Sequence, residues 1–589
     1  MAVESRPLGR RRSWPSPPRG MRPGSDLPRL RILWLIAIAL LLATTVWGRL
    51  AYWQVLEHGQ LSAMAADQHL TEVPLPATRG MIFDRDMRPL AINTTVYDVT
   101  LAPDLVKPAE RDRVAGALSA VLGVPHDDVV AKLSANTKFA YVAKRQAKER
   151  ADQLRQLKLP GVYLQAQEQR TYLPGGTSDA SLASSLLGFV DYQGRGQRGV
   201  EAYYDPRLAG RDGYVNTYRD LAGRELLLSG ETRRDPVNGA NLVLTLDSNV
   251  QFSAEQAIAA GVKAARAESG SVLVMDSKTG GVVAWASYPG YDGNQFATTD
   301  PSRTRDPIVS NLYEPGSVMK VVTLSGALDA GKITPDTTIQ DPGYVNVAGT
   351  VIHDWDNASH GTVTMTNVLE KSLNVGAIKA MQMEGRDNFF HYLQAFGFGS
   401  STGIDAAAEA QMQLRSAGQW RDTDVATTAF GQGIAVNMVQ MCAAINVVAN
   451  QGRWVQPHVV ESIGGASPGK FATRQAVTPQ TAASMTQMME SVVQHGSGHM
   501  ARVKGFELNE AGKTGTSQIP ENGKYSPDQV WASYVGFLPA DNPRFTMLVV
   551  VQKPNNGSAD HNEGYYVSGP IWKAIAEQII PEWRITPTP

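Results

Sequence analysis

The sequence predicts an α/β domain with a central antiparallel sheet and a helical insert, preceded by a single transmembrane helix and an elongated α+β pedestal. Three observations carry this reading. One uncharged apolar run lies near the N-terminus, β-rich runs sit at both ends of the C-terminal half, around residues 242–287 and 531–552, and helical patterns fill the interval between them. A chain of 589 residues also exceeds one hydrophobic core, so several domains of roughly 100–250 residues are expected.

Residues 1–31 hold eight arginines against Glu4 and Asp26, with prolines that oppose regular structure, and read as a disordered basic tail. From Ile32 to Gly48 no residue is charged, about 26 Å of helix at 1.5 Å per residue, and Leu50 to Leu56 extend the apolar character. The span is therefore placed at residues 32–56. The arginine excess before it predicts a cytoplasmic N-terminus, with Trp47, Tyr52 and Trp53 as anchors at the far interface. A cleaved signal peptide is the rival, since Ala63-Met64-Ala65 offers a small-x-small site. Tyr52, Trp53, Glu57 and His58 separate that site from the apolar core, so an uncleaved anchor is expected, with everything after residue 57 outside the cytoplasm. The sequence shows no second run of this length, which argues against a channel or transporter.

Residues 57–238 mix charged helical stretches such as Ala147 to Leu157 with glycine-rich turns at 196–201 and 208–213, the pattern of a spacer domain without catalytic spacing. Asp84-Arg85-Asp86 reads as a turn at its base. A boundary near Asn238-Gly239 opens the domain at 239–582, which leaves a C-terminal tail at 583–589. Leu242 to Leu246 alternates as a strand, and a helix follows from about Asn249 to Ala267. Ser271 to Asp276 and Val282 to Ser287 read as a hairpin, Trp531 to Leu538 and Phe545 to Gln552 as a second strand pair, and Ile571 to Ile580 as a closing helix. The 55 basic residues balance 56 acidic ones, so there is no global basic field for nucleic acid. Cys442, the one cysteine, lies in an apolar run and reads as a buried structural thiol. His353, Asp354, His360 and His561 lack paired ligand spacing, so no metal is expected, and no cofactor.

The chemistry is carried by the helical insert, which begins at Glu314-Pro315-Gly316-Ser317-Val318-Met319-Lys320. Residues three apart share a helix face, so the Ser317 hydroxyl and Lys320 amine can touch. A buried lysine held neutral by desolvation and nearby positive charge can activate a hydroxyl. Such pairs also arise by chance at ordinary helix starts. Two later strings, in order, change that: Ser372-Leu373-Asn374, and then Lys513-Thr514-Gly515-Thr516 after Gly512. Serine-x-x-lysine, a serine/asparagine triplet and lysine-threonine-glycine form the shared motif set of penicillin-binding proteins and class A β-lactamases.

On these motifs the chain resembles the penicillin-binding transpeptidases, whose transpeptidase domain is serine β-lactamase-like. Supporting strings are Arg79-Gly80 with Asp84-Arg85, Gly199-Val200-Glu201, Phe396-Gly397-Phe398-Gly399 with Thr402-Gly403-Ile404-Asp405, and Phe430-Gly431-Gln432-Gly433-Ile434. The layout is similar to class B, the monofunctional kind, and most similar to the division-specific septal type, with the elongation-specific type as the alternative. The sequence departs from the usual strings at Val318-Met319, Leu373 and Ser497, which touches substrate fit more than chemistry.

The resemblance implies that Ser317 attacks the penultimate D-alanine carbonyl of a peptidoglycan stem peptide while Lys320 takes its proton. Ser372 relays a proton to the leaving amine, and Asn374 orients Lys320 and the substrate amide. Lys513, with Thr514 and Thr516, binds the terminal carboxylate, and the backbone N–H groups of Ser317 and Thr516 form the oxyanion hole. Gly515 is expected to leave room for the substrate backbone. β-Lactams are implied as covalent inhibitors. Implied partners are a polytopic glycosyltransferase that uses lipid-linked precursors and other division proteins in the membrane. The rival readings are a serine β-lactamase, disfavoured by the anchor and pedestal, and a non-catalytic sensor or scaffold.

Overall fold

The computed structural model describes residues 27–61, 70–219, 225–226, 232–521, 523–557 and 559–587. Most of the expected basic tail, and the Ala63-Met64-Ala65 string, lie outside the described residues. The N-terminal helix runs Leu27–Ala51 and continues into a π-helical turn at Tyr52–Leu56. It starts before the expected residue 32, since Pro28 is tolerated in a first turn and Arg29 and Arg31 are good helix formers. Leu33, Trp34 and Leu41 are more than three-fifths exposed, and the helix is long and apolar enough to cross a bilayer.

Contacts divide the chain into two compact units. The smaller contains this helix and an antiparallel sheet in which Gly213–Arg219 pairs with Leu70–Leu75, Glu225–Leu226 and Thr232–Arg234. The larger takes in Pro76–Asp212 and everything from Pro236 onward. The expected boundary at 238/239 therefore does not divide the packing. Strands Ile82–Phe83, Pro89–Leu101, Ala140–Gln146 and Val162–Tyr172 share one six-stranded sheet with Leu242–Leu244 and Val460–Ile463. Ile82 and Phe83 pair in parallel with Leu242 and Val243, and Ile82, Leu90, Leu242 and Val460 are fully buried in one core. Helices Arg111–Leu122, His126–Ser134 and Lys148–Leu157 add a separate core around Val99, Leu118, Leu133 and Leu154.

A buried ion cluster explains two of the strings noted above. Arg79 reaches Glu201 at 2.6 Å and Asp205 at 2.7 Å, and Arg170 reaches the other Glu201 oxygen at 2.6 Å. Glu201 is fully buried, so each partner offsets a charge that would otherwise be costly to desolvate. Asp84 forms the expected turn, accepting from the Asp86 and Arg88 N–H groups and from Ser248 Oγ.

The central sheet runs Val282–Tyr288, Ser269–Asp276, Phe545–Gln552, Lys524–Leu538, Ala511–Glu521, all antiparallel. Both faces are covered, which is why its strands read as near-continuous apolar runs. Val272 and Val274 enter a core with helices Ser248–Ala264 and Gly564–Glu582, while Leu273 and Met275 enter the main core with Met319–Asp329 and Met438–Ala449. Met438–Ala449 is buried all round, Cys442 included, and its two polar side chains, Gln440 and Asn446, donate to the Ser400 and Ser277 carbonyls. The expected C-terminal tail begins packed: the Trp583 indole donates to Asp247 at 3.0 Å and Ile585 is buried.

Candidate active site

Ser317 lies in one turn of 3-10 helix, Gly316–Val318, that runs directly into helix Met319–Asp329. Gly316 has φ 56°, and a Cβ there would sit 2.6 Å from the Thr516 carbonyl oxygen, so the turn presses against the Ala511–Glu521 strand. Ser317 is half-buried, whereas Lys320 is wholly buried. The Lys320 amine donates to Asn374 Oδ1 at 2.9 Å and to the Ser372 carbonyl, and lies 3.4 Å from Ser372 Oγ. The helical spacing predicts a direct Ser317–Lys320 contact. Among the described residues no hydrogen bond joins them; the amine's hydrogen bonds go to three oxygens of the 372–374 segment.

Ser372 follows helix Met365–Glu370 and precedes helix Asn374–Glu384. Its φ of 59° is left-handed, which costs a residue with a side chain about 1–3 kcal/mol and points to a functional constraint. That conformation brings the carbonyl and hydroxyl of one residue to the same amine. Lys513 donates to Ser372 Oγ at 3.0 Å, to the Thr514 carbonyl at 3.0 Å and to Thr514 Oγ1 at 3.3 Å. Ser372 Oγ thus stands between the two lysines.

Burial, and then the charge of Lys513, hold the Lys320 amine well below the usual lysine range, with Asp354 opposing. Burial likewise brings Lys513 down to about 7, against the pull of Glu563. Two ammonium groups in a dry site repel, so Lys320 is the one held neutral most firmly. Lys513, the residue expected to bind the terminal carboxylate, is thus brought to the edge of neutrality by its burial.

The edge strand Ala511–Glu521 carries the remaining candidates. Thr514 Oγ1 bonds with Ser497 Oγ at 2.8 Å, and Thr516 Oγ1 accepts from the Gly564 N–H at 3.2 Å. Gly515 differs from expectation. A Cβ there would meet Ser533 Oγ at 2.4 Å, and Pro315 O and Val318 Cγ2 each at 2.9 Å. Its missing side chain admits the turn that carries Ser317, which already fills that space. Strand and turn are in contact, so the backbones of Ser317 and Thr516 are neighbours.

Three contributors were missed by sequence reasoning: Asp354, Ser497 and Glu563. Asp354 accepts from the N–H groups of Asn374 and Val375 and so caps the helix that begins at Asn374. It precedes that helix by 20 residues, with helix Met365–Glu370 between, so no local capping signal marks it in the sequence. Ser497 stood out only as a departure from threonine, and it retains the hydroxyl that meets Thr514. Among the described residues no group of three His, Cys, Asp or Glu side chains is placed to hold a metal ion.

Comparison with known proteins agrees with this arrangement. Residues 270–577 match the penicillin-binding protein transpeptidase domain, and residues 74–244 match the penicillin-binding protein dimerisation domain. Stage V sporulation protein D of Bacillus subtilis is 30% identical over 581 residues, covering 96% of this chain and 88% of that protein. The peptidoglycan D,D-transpeptidase FtsI of Escherichia coli is 30% identical, covering 94% of this chain and 91% of its own length. Among solved structures, penicillin-binding protein 3 of Mycobacterium tuberculosis superposes with a TM-score of 0.68 at 26% identity, covering 88% of this chain and 98% of that one. The same protein has been solved with aztreonam. With its buried lysine pair bridged by a serine, its pedestal and its apolar N-terminal helix, the chain belongs to the class B penicillin-binding proteins, the family of peptidoglycan D,D-transpeptidases.

Proposed function

We propose that Ser317 is the nucleophile and Lys320 its general base in acyl transfer from peptidoglycan stem peptides. One observation carries this reading: the amine next to Ser317 on its helix is fully buried, held below its usual protonation range, and fixed by Asn374 and Ser372. A neutral Lys320 takes the Ser317 proton as Oγ bonds to the penultimate D-alanine carbonyl carbon, and the peptide C–N bond breaks to release D-alanine. Ser372 Oγ, between the lysines, passes a proton to the leaving nitrogen. An amine of a neighbouring stem peptide then displaces Ser317 and forms the cross-link. Lys513, Thr514 and Thr516 hold the terminal carboxylate, whose charge favours the ammonium form of Lys513. The backbone N–H groups of Ser317 and Thr516 serve the oxyanion, a donor worth about 10²–10³ in rate where one has been removed.

The N-terminal helix anchors the chain, with the tail in the cytoplasm and the catalytic residues on the outer side of the cell membrane. The septal role rests on the resemblance, which also suggests a polytopic glycosyltransferase as the source of nascent strands. Labelling by a fluorescent penicillin, abolished in Ser317→Ala, is the expected result; persistence of label in that variant refutes the assignment of Ser317. A tagged chain enriched at midcell supports septal synthesis, and a lateral-wall pattern replaces it with the elongation role. Rapid release of hydrolysed penicillin would indicate a β-lactamase instead.

A further inference from the structure

Next to the lysine pair stand two buried carboxyl groups whose partners do not balance. Asp341 closes the strand Thr338–Asp341, and Asp354 follows the strand Tyr344–Val347 and its partner Thr350–His353. They are 1% and 2% exposed. Asp341 Oδ1 accepts from the Gly343 N–H at 2.8 Å, and Asp354 Oδ1 accepts from the Asn374 and Val375 N–H groups. The loops that carry them are laced together: the Asp354 N–H donates to the Gly343 carbonyl at 3.1 Å, and the His360 N–H and Ser359 Oγ donate to the Asp341 carbonyl at 3.1 and 3.0 Å. Yet Asp341 Oδ2 and Asp354 Oδ2 are each buried without a partner. Two ionised carboxylates are acceptors only, so neither can satisfy the other. The Asp354 carboxyl is within side-chain hydrogen-bonding reach of Asp341, so one proton between them would satisfy both orphaned oxygens at once.

We propose that Asp341 and Asp354 are positioning residues that share one proton, and that this Oδ2–H···Oδ2 bond clamps the start of the Asn374–Glu384 helix so that Asn374 holds the Lys320 amine. Each link is on the same short path. Asp354 fixes the Asn374 and Val375 N–H groups, Asn374 Nδ2 donates to the His353 carbonyl at 3.0 Å, and Asn374 Oδ1 accepts from Lys320 at 2.9 Å. Burial, and beside it Asp341, push the Asp354 carboxyl up to about 6 against the two N–H groups that favour its ionised form. The charged group facing the pair is Lys320 of the Met319–Asp329 helix, with Lys513 of the edge strand behind it. His353 and the Asp356–His360 ion pair share the Asp354 loop, and Lys371 lies on the turn before Ser372.

The raised Asp354 carboxyl contributes stability that is fully present below the ordinary carboxylate range and is lost as pH rises through about 6. Asp341→Asn supplies a permanent N–H donor in place of the shared proton and keeps one negative charge on the pair. Asp354→Asn does the same from the other side. Asp341→Leu offers neither donor nor charge. The test uses the full chain in detergent, with a fluorescent penicillin as the probe, separating affinity from the rate of the covalent step at pH 5.0 and 7.5. Asp341→Asn is expected to acylate at least as fast as wild type at pH 7.5, and Asp354→Asn, at a residue that itself holds the Asn374 helix start, is compared by melting alone. Both should melt about 2 °C higher at pH 7.5, an advantage that vanishes at pH 5.0. Asp341→Leu is expected to slow the covalent step 10-fold or more with little change in affinity. Should Asp341→Leu fail to fold, the two asparagine variants alone decide. Slower acylation in Asp341→Asn or lower melting in both variants at pH 7.5, or a melting difference that is the same at both pH values, overturns the proposal.

Discussion

Gly515→Ala probes the contact that holds the Ser317 turn. A Cβ at residue 515 would lie 2.4 Å from Ser533 Oγ, which can rotate aside, but also 2.9 Å from Pro315 O and from Val318 Cγ2. The last two belong to the segment that flanks Ser317, and a backbone carbonyl cannot rotate away. The turn or the strand must therefore shift by several tenths of an ångström. Overpacking of this kind costs about 1–3 kcal/mol, and if that strain falls on the acylation geometry it slows the reaction about 5- to 140-fold at about 1.4 kcal/mol per factor of ten. The assay is the second-order rate of acylation by a fluorescent penicillin, with melting temperature recorded in parallel. Gly515→Ala/Ser533→Ala removes one of the three clashes and is expected to recover only part of the rate. A Gly515→Ala variant that acylates at the wild-type rate would refute the reasoning, and so would full recovery in the double variant.

Other consequences follow from the same geometry. Lys320→Ala removes the proposed base and is expected to lower the acylation rate about 10²–10⁴-fold with the fold intact by circular dichroism; an unchanged rate assigns Lys320 a packing role. Because Lys513 titrates at about 7, affinity for a carboxylate-bearing D-alanyl-D-alanine analogue should fall as pH rises above 7, and an analogue amidated at that end should lose this dependence. Calorimetry across pH 6–9 measures it, and a flat carboxylate profile contradicts it. Arg79→Ala leaves Glu201 buried with one of its two cations and should destabilise the pedestal by about 3–5 kcal/mol, read as a loss of melting temperature. Glu201→Gln should cost a comparable amount, since its amide nitrogen meets an arginine donor and Arg170 loses its carboxylate partner.

The central sheet was legible because both of its faces are buried, which leaves runs such as Met547 to Val551 apolar without interruption. Ser317, Lys320, Ser372, Asn374 and Lys513 were legible as an ordered set of motifs, and the structure brings Lys320, Ser372, Asn374 and Lys513 into one hydrogen-bonded group. What the sequence hid are properties that depend on non-local neighbours. The 238/239 boundary looked like a break because turn residues mark it, yet Leu242 and Val243 join a sheet with Ile82 and Phe83 from far upstream. Gly515 looked like room for a ligand, and the occupant is Val318. The small strands at residues 338–364 have weak patterns because they are four residues each and bury few apolar side chains: Thr338–Asp341 alternates, but its second buried position is Asp341 itself, and Thr350–His353 is mostly exposed. No local spacing signals that two carboxyls will share a buried site.

The central claim is that the acyl group forms on Ser317. Incubating the full chain with a penicillin, digesting it and mapping the adduct by mass spectrometry tests this directly. The account predicts one added penicilloyl mass on the peptide containing Ser317, absent in Ser317→Ala. An adduct on Ser372, or a persistent adduct in that variant, would contradict it.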